Sequence, residues 1–161
     1  MIDSTTSKAH RTAASFRGDG KPRQIGRSRG GLTTKIHVIC NEDFQPLEFK
    51  ITYGQDSDTR VGHEMVKNNA HRMRKLLADK AYDSNEIRNI LAKKRVSACI
   101  PPKSNRVAPI SYDKSLYKVR HKIENLFGWL KDWRGVAFRC HRNGHIFDSI
   151  VAIALLFKFL I

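Results

Sequence analysis

Three of the fifteen acidic side chains stand where neither a turn nor a helix cap accounts for them. Asp3 lies in Met1-Ile2-Asp3-Ser4-Thr5, a polar residue directly after an isoleucine. Asp79 follows the run Lys75-Leu76-Leu77-Ala78, at the C-terminal end of a predicted strand, where ligand sites collect in open α/β sheets. Glu124 sits mid-helix between Ile123 and Asn125, surrounded by cations. On that helix Tyr117, Arg120, Glu124 and Lys131 fall within about 60° of one another at about 100° per residue. Helix stability does not require such a stripe, because a Glu124–Arg120 pair at i, i+4 contributes only a few tenths of a kcal/mol. Taken alone it also reads as a row of surface ion pairs. Three carboxylates from a first strand, a later strand end and a C-terminal helix can together hold two divalent cations about 3.5–4 Å apart. Oxygen ligands suit Mg²⁺, with Mn²⁺ as a substitute. One ion would activate a water or a 3′-hydroxyl and the other would stabilise a leaving 3′-oxygen. Arg120 and Lys131 would clamp a phosphate strand, and Tyr117 would hydrogen-bond to it or stack on a base.

The elements that must position these groups are legible in outline. Leu32–Cys40 alternates and is rich in β-branched residues, Leu47–Gly54 follows a turn, and the two predict a hairpin. Asp58–Asn69 reads as a short helix opened by an Asp cap. Lys75–Asp83 begins as a short apolar strand, Ser84 caps a helix that follows, and Ser97–Lys103 is a third strand stopped by Pro101 and Pro102. Tyr112–Trp133 is helical, with Asp113 as its cap. Leu116, Val119, Ile123, Leu126, Phe127 and Leu130 form its apolar face. Strand, strand, then alternating helix and strand predicts one α/β domain over residues 1–161, its sheet antiparallel at first and then parallel. Asp43 belongs to a turn, Asp56 and Asp58 to caps, and Glu86 to a helix N-terminus.

Composition sets the class of partner. The net charge is +15, which makes a polyanion the expected ligand. It is unevenly spread, for residues 36–71 carry three basic and six acidic side chains, so one positive face is expected. Residues 17–31 contain a Gly/Arg-rich loop, expected to be mobile when nothing is bound, with Arg27 and Arg29 as phosphate-backbone contacts. No Gly-Lys-Ser/Thr closes it, which excludes a P-loop. Three scattered cysteines, Cys40, Cys99 and Cys140, argue against a disulfide scaffold and for a reducing, cytoplasmic setting. Cys140, His141 and His145 lack the further ligands of a zinc site. Trp129 and Trp133 read as helix packing, and His10, His37 and His63 as ordinary polar or partly buried histidines. Ile150–Phe157 is far shorter than the roughly 20 apolar residues of a membrane span.

Five segments together carry a family resemblance: Ile2–Thr5 with Ala9-His10, Ile25–His37, Ala78–Ser84, Ile100–Arg106, and the set Tyr117, Arg120, Glu124, Lys131. Over almost its whole length the chain resembles the catalytic domain of bacterial DDE transposases of the insertion-sequence-four and -five superfamily. The resemblance implies a ribonuclease-H-like mixed sheet flanked by helices, with Asp3, Asp79 and Glu124 as the metal-binding catalytic triad; Asp83 sits in the same motif, but the family pattern selects Asp79. It also implies Mg²⁺-dependent DNA strand cleavage followed by 3′-hydroxyl strand transfer. The implied partners are double-stranded DNA of element ends and target, and further copies of the chain on that DNA. Family members carry an upstream helical DNA-binding portion, so a truncated first strand is expected here, along with the downstream product of two frameshift-joined reading frames. Two rival readings stay open: an inactive DNA-binding remnant of a transposase, and a ribonuclease-H-like nuclease without strand transfer.

Overall fold

The computed structural model describes residues 1–15, 23–108 and 110–160. In chain order its elements are β1 (Ile2–Ala9), the single turn α1 (Arg11–Ala14), β2 (Gly26–Ser28), β3 (Gly31–Cys40), β4 (Pro46–Tyr53), α2 (Asp58–Asn69), β5 (Lys75–Leu77), α3 (Asn85–Lys93), β6 (Ser97–Cys99), α4 (Lys114–Tyr117), α5 (His121–Asp132), α6 (Arg134–Ala137), β7 (Phe138–Arg139) and α7 (Gly144–Leu160). Short 3₁₀ turns lie at Ala70–Arg72, Lys80–Tyr82 and Lys118–Arg120.

β3 is the central strand. It pairs antiparallel with β1 from Ile2↔Ile39 to Lys8↔Thr33, and on its other edge with β4 and β2. β5 and β6 pair in parallel, and a parallel bridge between Ile2 and Ala78 joins them to β1. β7 adds a short parallel pairing at Lys8 and Ala9. The fold is thus mixed α/β, with helices on both faces of the sheet. Alternation along β3 sends Ile36, Val38 and Cys40 to one face, where they pack with Ile123, Leu126, Phe127 and Leu130 of α5 and Phe147, Val151 and Leu155 of α7. Ile39 turns to the other face and joins Ile2, Leu76 and Ala78 beneath α2 and α3. Each fully buried Ile or Leu in these clusters contributes about 2 kcal/mol.

Several sequence expectations need correction. The strand carrying Asp3 is not short: β1 has eight residues, six of them after the aspartate. Its Ser/Thr-rich run has no apolar alternation to reveal it, and pairing along β3 defines it instead. The expected loop at 17–31 falls partly outside the described residues, at 17–22. Within the remainder, Gly26–Ser28 is a strand, closed onto β3 by a turn at Arg29-Gly30 and by Gly31, whose φ of 93° lies in the region open to glycine. Helix α2 starts where expected, but Ser57 holds the N-cap position and the Asp58 side chain points to the sheet. The helix expected over Tyr112–Trp133 is two segments, α4 and α5, parted by the 3₁₀ turn Lys118–Arg120. Asp113 does cap α4, accepting the Ser115 and Leu116 N–H groups. Ser84 likewise caps α3 by accepting the Ile87 N–H.

Candidate active site

Ile2 and Ala78 are bridged on adjoining parallel strands, so the next residues, Asp3 and Asp79, leave neighbouring strands that run about 4.8 Å apart. Because Ile2 and Ala78 face α2 and α3, alternation turns both aspartates to the opposite face, the one covered by α5. From that side Arg120, at the junction of the 3₁₀ turn and α5, reaches across. Its Nη1 donates to Asp3 Oδ2 at 2.7 Å, and its Nη2 donates to Glu124 Oε1. One guanidinium therefore ties together two of the three carboxylates picked from the sequence. The break in the expected helix sits where this happens, since 3₁₀ turns inside helical segments often mark such sites.

Asp3 is 17% exposed, and its pKa is raised to about 6. Burial is the main cause. The Ser4 N–H and Arg120 oppose the rise, while the charges of Asp79 and Asp58 add to it. Asp79 accepts the Ala81 N–H and so caps the 3₁₀ turn after β5. Tyr117 places its ring 5.7 Å from the Arg120 guanidinium carbon. Its hydroxyl pKa is pushed up, first by burial and further by the nearby Asp79 charge, against the pull of Arg120. Asp3, Asp79, Tyr117, Arg120 and Glu124 are thus one constellation. Glu124 is its most open member at 53% exposure. Lys131 is exposed in the last turn of α5, about 10 Å along the helix axis from Glu124. Among the described residues no group of three or more His, Cys, Asp or Glu side chains stands close enough together to hold a metal ion.

Arg27 and Arg29 are exposed on the β2–β3 hairpin. They lie near the far end of β3 from Val38, the partner of Asp3, about 20 Å away at 3.4 Å per residue. The structure therefore does not bring them to the carboxylates. Asp83 has a different role from Asp79. Its fully buried carboxylate accepts from Arg88 Nε at 2.7 Å, Arg106 Nε at 2.5 Å and the Lys103 N–H at 2.8 Å. Burial alone would raise its pKa, but these bonds outweigh it and hold the group well below the usual carboxylate range. It locks α3 to the segment after β6. Trp129 and Trp133 pack edge to face, and Trp133 meets Phe157 of α7. His37 is fully buried and hydrogen-bonds to Thr52 Oγ1 at 3.0 Å, and burial lowers its pKa to about 4.

Sequence reading missed the polar groups behind Asp3. Asp58 Oδ1 accepts from Ser4 Oγ at 2.8 Å and pairs with Lys35 Nζ at 3.1 Å, and His37 Nδ1 lies 3.9 Å away. The available signal was the i, i+2 spacing of Lys35 and His37, which puts two titratable side chains on the face of β3 that also carries Ile39.

The sheet thus presents Asp3 and Asp79 from adjoining strands, and Arg120 reaches Asp3 and Glu124 from the helical side. A family model described as "Transposase DDE domain" matches residues 1–110, a span that holds Asp3 and Asp79 and ends before Glu124. A Brucella ovis protein named as a transposase for insertion sequence element IS6501 is 32% identical over 127 residues, covering 76% of this chain and 95% of the relative. No solved structure matches. The chain belongs to the DDE transposase domain family: it is an enzyme of the kind that moves insertion sequences and acts on DNA. No helix among the described residues is long and apolar enough to cross a membrane.

Proposed function

We propose that residues 1–161 form one catalytic domain of ribonuclease-H-like fold that cuts DNA at element ends and joins the freed 3′-hydroxyl to target DNA. The observation carrying this reading is the bridge from Arg120 to Asp3 and Glu124, partners 117 and four residues away. A strand order of β4-β3-β1-β5-β6, with three antiparallel strands followed by parallel ones, supports the fold. Asp3, Asp79 and Glu124 would hold the metal. Their donors are all oxygen, as Mg²⁺ or Mn²⁺ requires. The raised pKa of Asp3 marks a carboxylate whose charge Arg120 balances only in part. The chemistry supplied by bound Mg²⁺ is activation of the attacking water or hydroxyl and stabilisation of the leaving 3′-oxygen.

The chain's own residues supply the remainder. Arg120, which donates to Asp3 and Glu124, would also offer its guanidinium to the scissile phosphate, and Lys131 would hold the backbone further along the helix. Tyr117, edge to face with Tyr112 at 5.5 Å, offers a ring and a hydroxyl to the strand. Arg27 and Arg29 meet DNA away from the reaction. Joining two element ends calls for more than one copy of the chain on the DNA, and the compartment in keeping with this reading is the cytoplasm, at the nucleoid. The test is cleavage of labelled DNA bearing the element's ends in Mg²⁺. Asp79→Asn and Glu124→Gln should each abolish cutting and leave DNA binding within a few-fold. Cutting by either variant at the wild-type rate would remove that residue from the triad.

A further inference from the structure

We infer that the first turn of α2 is a positioning device that sets the separation of Asp3 and Asp79, with Asp58 and Thr59 as its working residues. The inference rests on the catalytic reading of those two aspartates. Asp58 Oδ1 accepts from Ser4 Oγ at 2.8 Å, which holds β1 one residue beyond Asp3. Thr59 Oγ1 donates to the Ala81 carbonyl at 2.6 Å, and Ala81 is the residue whose own N–H Asp79 accepts. Adjacent residues of one helical turn thus grip the two segments that carry the carboxylates.

The grip continues one turn on. A Cβ at Gly62 would lie 2.5 Å from the Tyr82 ring and 3.7 Å from Ile2 Cδ1. The helix therefore comes down on the residue that precedes Asp3 and on the 3₁₀ turn that follows Asp79, and no larger side chain fits. The two strands are joined by a single parallel bridge at Ile2 and Ala78, and the parallel pairing of β5 runs instead to β6. Sheet hydrogen bonding alone leaves the spacing of the aspartates weakly fixed, and α2 supplies what the ladder does not. Lys35, paired with Asp58 at 3.1 Å and donating to the Asp56 carbonyl at 2.7 Å, ties the start of α2 to β3. Neither Asp58 nor Thr59 reaches the face where Arg120 lies. Both act through other residues, as outer-shell partners of metal ligands do.

Thr59→Val keeps the shape of the side chain and removes the hydroxyl. It should lower the cleavage rate and raise the Mg²⁺ needed for half-maximal cutting, each by about tenfold, with DNA affinity within twofold. Mn²⁺ binding, followed by electron paramagnetic resonance without turnover, should weaken in parallel. Thr59→Ser should restore both readouts, and Ser4→Ala should reproduce the loss from the β1 side. Unchanged metal dependence in Thr59→Val and Ser4→Ala would overturn the inference. So would a loss of rate that disappears on cooling below each variant's melting range, since that is a stability effect. Asp79→Asn is the control that separates failures. If it cuts like wild type, the triad reading itself falls; if it is dead while Thr59→Val is normal, only the role of α2 falls.

Discussion

Asp3→Asn should stabilise the metal-free fold while abolishing strand cleavage. The carboxylate is 17% exposed, and its pKa is raised from an ordinary 3.8 to about 6, chiefly by burial. A rise of roughly two units is worth at most about 3 kcal/mol at 1.36 kcal/mol per unit. The sign follows from linkage. Below pH 3.8 the group is protonated in both folded and unfolded chains and costs nothing. Between 3.8 and about 6 the unfolded chain ionises first, so stability falls as pH rises, and above that window the full cost remains. Asn mimics the neutral acid and still accepts the Ser4 N–H, which is bonded to Asp3 Oδ1 at 2.8 Å, but it gives up the charge on Arg120. A net gain of about 1–2 kcal/mol is expected at pH 7.5, or roughly 2–8 °C in melting temperature for a chain of this size. The assay is thermal and urea unfolding of both proteins in chelator at pH 7.5 and pH 4. A variant less stable than wild type at pH 7.5, or equally stabilised at both pH values, would refute the electrostatic reasoning.

Other expectations are simpler. Asp83→Asn leaves Arg88 and Arg106 facing a neutral group in a fully buried position and should cost about 3 kcal/mol in urea unfolding. Because the folded pKa of Asp83 is depressed, its stabilising contribution is present above the ordinary carboxylate range and is lost as pH falls below it. The Asn variant should therefore show a weaker acid-induced loss than wild type. Ser84→Ala removes the acceptor of the Ile87 N–H and should cost about 1 kcal/mol with cleavage per folded molecule unchanged. Affinity for DNA should fall steeply between 50 and 200 mM salt, by about 10³-fold or more if six or so phosphates are neutralised, and a flat response would contradict the polyanion argument drawn from the net charge of +15.

Chemistry that depends on residue type and helical spacing was open to the sequence. Arg120 and Glu124 meet because i, i+4 spacing brings them together, and a strand that ends in an aspartate announces itself by its apolar run; the 3₁₀ turn that sets Tyr117 apart in α4 was not legible. The β3–β4 hairpin, the bounds of α2 and the Ser84 cap are likewise local signals, each settled by a few neighbouring residues. The length of β1 was not legible, since a run of Ser and Thr becomes a strand only by pairing with β3. Gly26–Ser28 joined the sheet for the same reason, although nothing in its own composition asks for a strand. Which face Asp58 served was hidden as well. A helix-opening aspartate is a cap by default, and only the register Ser4↔His37 puts a hydroxyl and a lysine within its reach. The meeting of Arg120 with Asp3 joins residues 117 apart in the chain. Local propensity acts over a few residues, so contacts at that separation are decided by how the sheet and α5 pack together.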